Sequence, residues 1–323
     1  MMKTIQKISL QQINLSDETF SVNFMPDLQK LQSSIERIGL IQPVLLRRKG
    51  DKYQIVCGFR RISIFQELGN KEIESSVFEE KERDEFELFS ISLHENLTSR
   101  GFNTVEKAIA LDKLIHRFQI DPVNVIRSFL PLFSLEPNEK ILSTFLSLAG
   151  MENEVKRYIL EEEVSRSNIR KLSALTSDDR IALLPLISLL KLGENRLREI
   201  LTLVEEISKR NGMKVRDIVH RPEVQSILSQ KELSSSQRTE RLRKVLTALR
   251  YPRMHEMKEG FEKKRKDLNL PSNVFVRHPP FFEGRGLKIE FQFENLEEYR
   301  SIVSSLSKLQ EKKEFQEIVL GDM

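Results

Sequence analysis

Residues 39–61 read GLIQPVLLRRKGDKYQIVCGFRR. Val44–Leu46 and Tyr53–Val56 read as strands, and Lys49-Gly50-Asp51 between them is a hairpin turn signal. The second run ends at Cys57, and Gly58 then leads into Phe59-Arg60-Arg61. A glycine at that junction frees the backbone for a sharp strand-to-helix turn. A helix starting there brings backbone N–H groups and the positive end of its dipole to one spot, with two arginines in its first turn. Such a layout suits a polyphosphate. The same spacing also suits an ordinary turn followed by a solvated arginine face, because motifs this short have many false positives.

Working outward, Lys3–Leu10 alternates apolar and polar residues and predicts a strand. Asp27–Ile38 places apolar residues at 28, 31, 35 and 38, a helical face that Gly39 stops. Arg60–Leu68 predicts a helix closed by Gly69-Asn70, and Ile73–Phe78 another strand. The first hundred residues therefore predict a small α/β domain. From Phe86 to about residue 265 the period is helical, with helices expected over 84–98, 104–118, 122–130, 137–149, 152–162, 167–174, 178–191, 195–210, 214–219, 222–229 and 236–265. Asp121 before Pro122 and Thr176-Ser177-Asp178 predict helix caps. After Pro271 the period returns to two: strands are expected over 273–277 and 286–293, with turns at Pro279-Pro280 and Gly284-Arg285-Gly286, then an amphipathic helix over 296–309. A ββα unit this small buries too little by itself, so it is expected to pair with a second copy or dock on its own chain.

The chain has 323 residues, too many for one compact core of ordinary size. Met1–Lys7 lacks the apolar core of a signal peptide, and no apolar run has the length of a membrane span. Cys57 is the single cysteine, which excludes an internal disulfide or a thiolate zinc cage and points to the cytosol. The five histidines are scattered without metal-ligand spacing. Net charge is +4 with pI near 9.0, but its distribution says more. Residues 79–87 are acidic, whereas residues 238–266 carry eleven Lys or Arg against four Glu. A basic stretch of that kind suits an anionic polymer, and equally a solvated helix with basic faces.

Gly39-Leu40-Ile41-Gln42-Pro43 and Gly58-Phe59-Arg60-Arg61, followed by Glu95-Asn96-Leu97 and Asn103-Thr104-Val105-Glu106, resemble the ParB family of bacterial partition proteins. The family patterns are G-(I/L)-I-Q-P, G-E-R-R and E-N-L-x-R. Leu148–Leu160 is similar to the family's segment after its helix-turn-helix, and Val164–Leu175 to the helix that follows. The resemblance implies an α+β, multidomain chain: a ParB-like nucleotide-binding domain over 1–103, an all-α helix-turn-helix-type DNA-binding domain over 104–230, a basic helical linker over 231–270, and a ββα dimerisation domain over 271–323. It also implies CTP with Mg²⁺, double-stranded DNA, a homodimer and a Walker-type partition ATPase as partner. Gly58, Arg60 and Arg61 would hold the triphosphate, Glu95 and Asn96 would manage Mg²⁺ and hydrolysis, and Gln42 and Pro43 would flank the nucleotide. The expected protein is a CTP-responsive DNA clamp in chromosome or plasmid segregation, cytoplasmic and associated with the nucleoid.

Three departures qualify the pattern. Phe59 replaces the family's carboxylate; the last arginine of E-N-L-x-R falls on Ser99, with Arg100 one place late; and Asn14–Val22 stands where the family has N-P-x-Q-P-R. Any CTPase activity is therefore expected to be weak or lost. On Pro137–Ser147, Asn138, Lys140, Ser143 and Thr144 would face base edges, although Glu136 and Glu139 repel phosphate and an amphipathic core helix fits equally. Ser165, Arg166, Ser167, Arg170 and Lys171 are the better phosphate contacts. Two alternatives remain open: a nucleotidase or nuclease using Glu95-Asn96, and a regulatory adaptor with a degenerate pocket. Sulfiredoxins share the superfamily fold but carry their cysteine after the turn glycine. Cys57 precedes Gly58, so a buried apolar role is expected for it.

Overall fold

The structure, a computed structural model, describes residues 4–230, 232–283 and 286–320, and the chain divides into two compact units, Met1–Glu194 and Asn195–Met323. In the first, strands β1 (Ile5–Ser9), β2 (Ile13–Asn14), β3 (Val44–Lys49), β4 (Lys52–Cys57) and β5 (Glu72–Phe78) form one sheet in the order β1-β5-β3-β4-β2. The pairs β1–β5 and β3–β4 are antiparallel, whereas β3–β5 and β2–β4 are parallel. Strand β4 is buried from Tyr53 to Cys57, its apolar residues covered on both faces and the one polar residue among them, Gln54, donating to Asp17 at 2.9 Å. Tyr53 and Ile55 join Ile8, Val44, Leu46, Ile73 and Ile62 in one apolar cluster. Burying each aliphatic side chain of that kind stabilises by roughly 2 kcal/mol.

Helix α1 (Gln29–Ile38) ends at Gly39, α2 (Phe59–Glu67) starts from Gly58, and α3 (Glu85–Ser99) packs against β4. Gly58 has φ +98°, and a Cβ there would lie 2.6 Å from Cγ1 of Val44. Both the backbone and its neighbour thus demand glycine at this turn.

Helices dominate the remainder of the unit: α4 (Thr104–Asp112), α5 (Pro122–Asn124), α6 (Leu130–Leu132), α7 (Glu139–Ala149), α8 (Asn153–Glu161), α9 (Arg166–Ser173) and α10 (Ser177–Leu190). Asp121 and Thr176 cap α5 and α10 as their spacing predicts. The helix expected over 104–118 widens at its end into a π-turn at Lys113–Arg117, and a second π-turn at Val125–Phe129 joins α5 to α6. Helix α7 packs on α4 and α9, burying Leu142, Phe145 and Leu148. Arg180 clamps Glu152 through two hydrogen bonds of 2.7 and 2.8 Å.

The second unit contains α11 (Glu194–Asn211), α12 (Val215–Val219), α13 (Pro222–Ser229), α14 (Ser235–Arg250), α15 (Pro252–Asp267), the antiparallel pair β6 (Val274–Arg277) and β7 (Lys288–Phe291), α16 (Leu296–Ser307) and α17 (Lys313–Leu320). Here the expected single helix over 236–265 is two. Pro252 has no N–H to continue the hydrogen-bond ladder, and Tyr251 leaves helical geometry at φ −127°, ψ 64°. Two elements go beyond the sequence expectation: β2, only two residues long, and α17. The latter, with α15, encloses a small core of Phe261, Leu268, Val276, Leu309 and Ile318. The turn expected at Gly284-Arg285-Gly286 lies partly outside the described residues. Among the described residues, no helix is long and apolar enough to cross a membrane. The architecture is a mixed α/β N-terminal domain followed by a largely helical remainder.

Candidate nucleotide site

The turn at Gly58, the C-terminal end of α1 and the C-terminal half of α3 surround a cavity of about 440 Å³. Its lining includes Gln42, Gly58, Phe59, Arg60, Arg61, Glu95, Asn96, Ser99 and Arg100, so one space gathers nearly every residue singled out around it in the sequence. Pro43 lies just behind, its carbonyl accepting a 3.3 Å hydrogen bond from Arg61. The cap of α2 makes no side-chain hydrogen bond, which leaves the first N–H groups of that helix without a side-chain acceptor.

Three guanidinium groups converge, and each is oriented by a carboxylate. Arg61 donates to the Gln42 carbonyl at 2.8 Å and to Oε1 of Glu95 at 2.6 Å. Arg60 donates to Oε1 of Glu106 at 2.8 Å and to Oδ1 of Asn23 at 2.9 Å. Arg100 donates to Oε2 of Glu106 at 2.7 Å and to Oδ1 of Asn96 at 2.8 Å. Burial, followed by the nearby charge of Arg100, pushes the Arg60 guanidinium below its ordinary pKa. Two cations this close stand together because Glu106 lies between them. Its side chain is 1% exposed and also closes the capping box of α4 with Asn103.

Glu106 is the residue whose role at the site was missed. Its Asn103-x-x-Glu106 spacing is a legible capping box. Its reach to Arg60 and Arg100, 46 and 6 positions away, is tertiary. Asn23, directly after the stretch that replaces the family's N-P-x-Q-P-R, was likewise not singled out.

The departures in sequence now have local explanations. Arg100 reaches the cavity although it stands one place late, because α3 stops at Ser99 and Arg100 leaves helical geometry. Ser99 lines the cavity and donates weakly to the Asn96 carbonyl at 3.5 Å. Phe59 packs its ring on the sheet cluster while also lining the cavity, so an apolar wall stands where a carboxylate was expected. Cys57 is buried, and burial pushes its thiol up to about 12, in keeping with an apolar filler.

Among the described residues no group of three or more His, Cys, Asp or Glu is placed to hold a metal ion. Glu95 offers one carboxylate, engaged with Arg61, and the Asn96 amide is shared between Arg100 and the Ser92 carbonyl. That donor set matches Mg²⁺ shared with phosphate oxygens, which needs only one or two protein carboxylates.

The nucleic-acid candidates sit on α7 and α9, which pack together. Asn138 caps α7, accepting from the Lys140 N–H at 2.8 Å; Lys140 and Ser143 are exposed. Thr144 is buried and donates to the Lys140 carbonyl at 2.7 Å, so it turns away from solvent. At the start of α9, Ser165 and Ser167 hydrogen-bond each other at 3.2 Å; Arg166 and Arg170 are exposed and Lys171 is half-buried.

The chain is similar in sequence to known proteins. A family model described as the ParB N-terminal domain matches residues 1–97. A nucleoid occlusion protein of Halalkalibacterium halodurans is 28% identical over 151 residues, which is 47% of this chain and 50% of that protein. The chromosome-partitioning protein ParB of Myxococcus xanthus is 28% identical over 145 residues, 45% of this chain and 46% of that one. The chain thus matches about half the length of these curated relatives. Among solved structures, C-terminally truncated ParB from Caulobacter crescentus aligns at TM-score 0.27 (22% identity, 57% of this chain, 98% of that one) in complex with CTP-γ-S. In complex with the centromeric parS site it aligns at 0.35 (23% identity, 61% and 97%). At such scores the superposition is loose, and the likeness rests on the sequence matches.

Proposed function

We propose that this chain, whose residues 1–97 are a ParB N-terminal domain, is a DNA-binding partition-type protein that responds to CTP. The observation that carries the reading is the convergence of Arg60, Arg61, Arg100 and the free N-terminus of α2 on one cavity of about 440 Å³. The α2 N–H groups and the arginines would take the phosphates, by charge-assisted bonds and the helix dipole. Phe59, Phe20, Ile35 and Leu40 give the cavity an apolar side for the base and sugar. Glu95 would hold Mg²⁺ together with the phosphates, and the ion would supply charge neutralisation there. Glu95 is engaged by Arg61, so holding the ion would exchange that partner. Binding is the activity the geometry favours; hydrolysis is not required by it.

The residues of α9 and the basic α14–α15 segment would meet DNA phosphates, with Lys140 and Ser143 of α7 facing base edges. In the C-terminal unit the β6–β7 pair exposes Phe275 and Ile289, and Phe293, Leu296 and Tyr299 are exposed beside it. A two-stranded sheet with that much apolar surface supports a homodimer through residues 271–323. The proposed functional division is 1–103, 104–230, 231–270 and 271–323, with a Walker-type ATPase as a proposed partner and the nucleoid as the proposed location. Titration of the purified protein with CTP, ATP, GTP and UTP in the presence of MgCl₂ tests the reading. CTP is expected to bind in preference to the others. Equal binding of all four, or none, refutes it.

A further inference from the structure

One wall of the cavity has no regular secondary structure: Phe20, Ser21, Val22 and Asn23 reach it from the irregular stretch after β2. What fixes that wall is a side chain outside the cavity. The Lys113 ammonium, at the first residue of the π-turn after α4, donates to the carbonyls of Glu18, Thr19 and Ser21 at 2.5, 3.3 and 2.5 Å. Three carbonyls within four residues turned to one point need three donors at that point, which an ammonium group supplies and no neutral side chain does. Arg117 adds a 3.0 Å bond to Oγ1 of Thr19, and Ser92 of α3 holds the Phe20 carbonyl at 3.3 Å. Beyond Ser21 the stretch ends at Asn23, whose Oδ1 accepts from both Arg60 and Arg100, the latter at 3.4 Å.

We propose that Lys113 is a positioning residue for the nucleotide pocket: by gathering the 18–21 carbonyls it sets the wall that presents Asn23 to the phosphate-binding arginines. The proposal rests on the reading of the cavity as a nucleotide site. The charged groups around Lys113 are Asp17 and Glu18 from the wall and Asp112, His116 and Arg117 from its own helix. Lys49 pairs with Asp17, Glu85 with Arg117, and Lys156 feels Asp112. Burial brings the ammonium down to about 8, Glu18 pulling the other way. Above that pH the amine has two donors for three carbonyls, and its lone pair faces the third. The wall is then held less firmly.

The test is calorimetric binding of CTP with MgCl₂ to the full chain and to Lys113→Met between pH 7.0 and 9.5, with amide hydrogen exchange over residues 18–24. At pH 7.0 the variant is expected to bind about ten-fold more weakly. Wild-type affinity is expected to fall as pH rises through about 8 while the variant stays flat, and exchange over 18–24 is expected to quicken in the variant. Equal affinities at pH 7.0, or the same pH profile in both proteins, overturn the proposal. The wild-type profile decides it even if the variant does not fold. Should the wild type bind no nucleotide, the functional reading falls instead. Exchange over 18–24 then judges Lys113 alone, and unchanged exchange in the variant overturns it.

Discussion

At the scale of single residues, the site depends on a carboxylate outside the cavity lining. Glu106 neutralises Arg60 and Arg100 at once, accepts the Asn103 N–H at 3.2 Å and lies buried among them. Replacing it by glutamine leaves two neighbouring cations without their counter-charge, and breaking a buried pair of this kind costs about 3 kcal/mol. Glu106→Gln is therefore expected to lower the urea midpoint by the corresponding amount. Gly58 is constrained from another direction. Alanine there would need φ +98° and would collide with Val44, so Gly58→Ala is expected to destabilise by about 2 kcal/mol in the same assay. The two residues differ in how far sequence betrays them. Gly58 stands at the junction of a strand run and a helix run, both local patterns. Glu106 shows only its capping role, because its partners are brought to it by the packing of α2 and α3 beside α4.

Elements were legible where their period was strong. The β3–β4 hairpin, α1 with its glycine stop, and the capped starts of α5 and α10 follow from residues within a few positions of each other. What escaped was short or tertiary. β2 pairs two residues alongside β4, too few to show any alternation. The break between α14 and α15 was hidden by helical periodicity on both sides, although Pro252 marks it. The contact of α8 with α10 gives a pH prediction. The hydrogen bond from Arg180 is the main cause holding Glu152 down to about 2, below its ordinary 4.5. A carboxylate depressed in the folded state lends stability above its unfolded pKa and loses it as pH falls through the folded value. Stability is thus expected to decline between pH 4.5 and about 2, and Glu152→Gln to flatten that decline in acid titrations followed by circular dichroism. For α9, the paired change Arg166→Ala with Arg170→Ala is expected to lower the slope of log affinity against log salt by about 2 in DNA binding, as two lost phosphate contacts require. An unchanged slope would remove α9 from the proposed interface.

At the scale of the whole molecule, the chain combines an α/β domain with an arginine-lined cavity, a helical remainder carrying exposed basic residues, and a C-terminal unit with exposed apolar rings. Of these parts, residues 1–97 are the ones matched by a family model, that of the ParB N-terminal domain. If the C-terminal unit pairs with a second copy, light scattering on the purified chain gives twice the 37.8 kDa of one chain, and charges placed at Phe293 and Tyr299 return it to one. The central claim is that the arginine-lined cavity binds a nucleotide. Arg60 tests it most directly, because Arg100 continues to neutralise Glu106 when Arg60 is removed and the fold should survive. In calorimetry with CTP and MgCl₂, the wild type is predicted to bind and Arg60→Ala to bind at least about ten-fold more weakly, the loss of one charge-assisted contact. A wild type that takes up no CTP, or an Arg60→Ala protein that binds it equally well, would contradict the account.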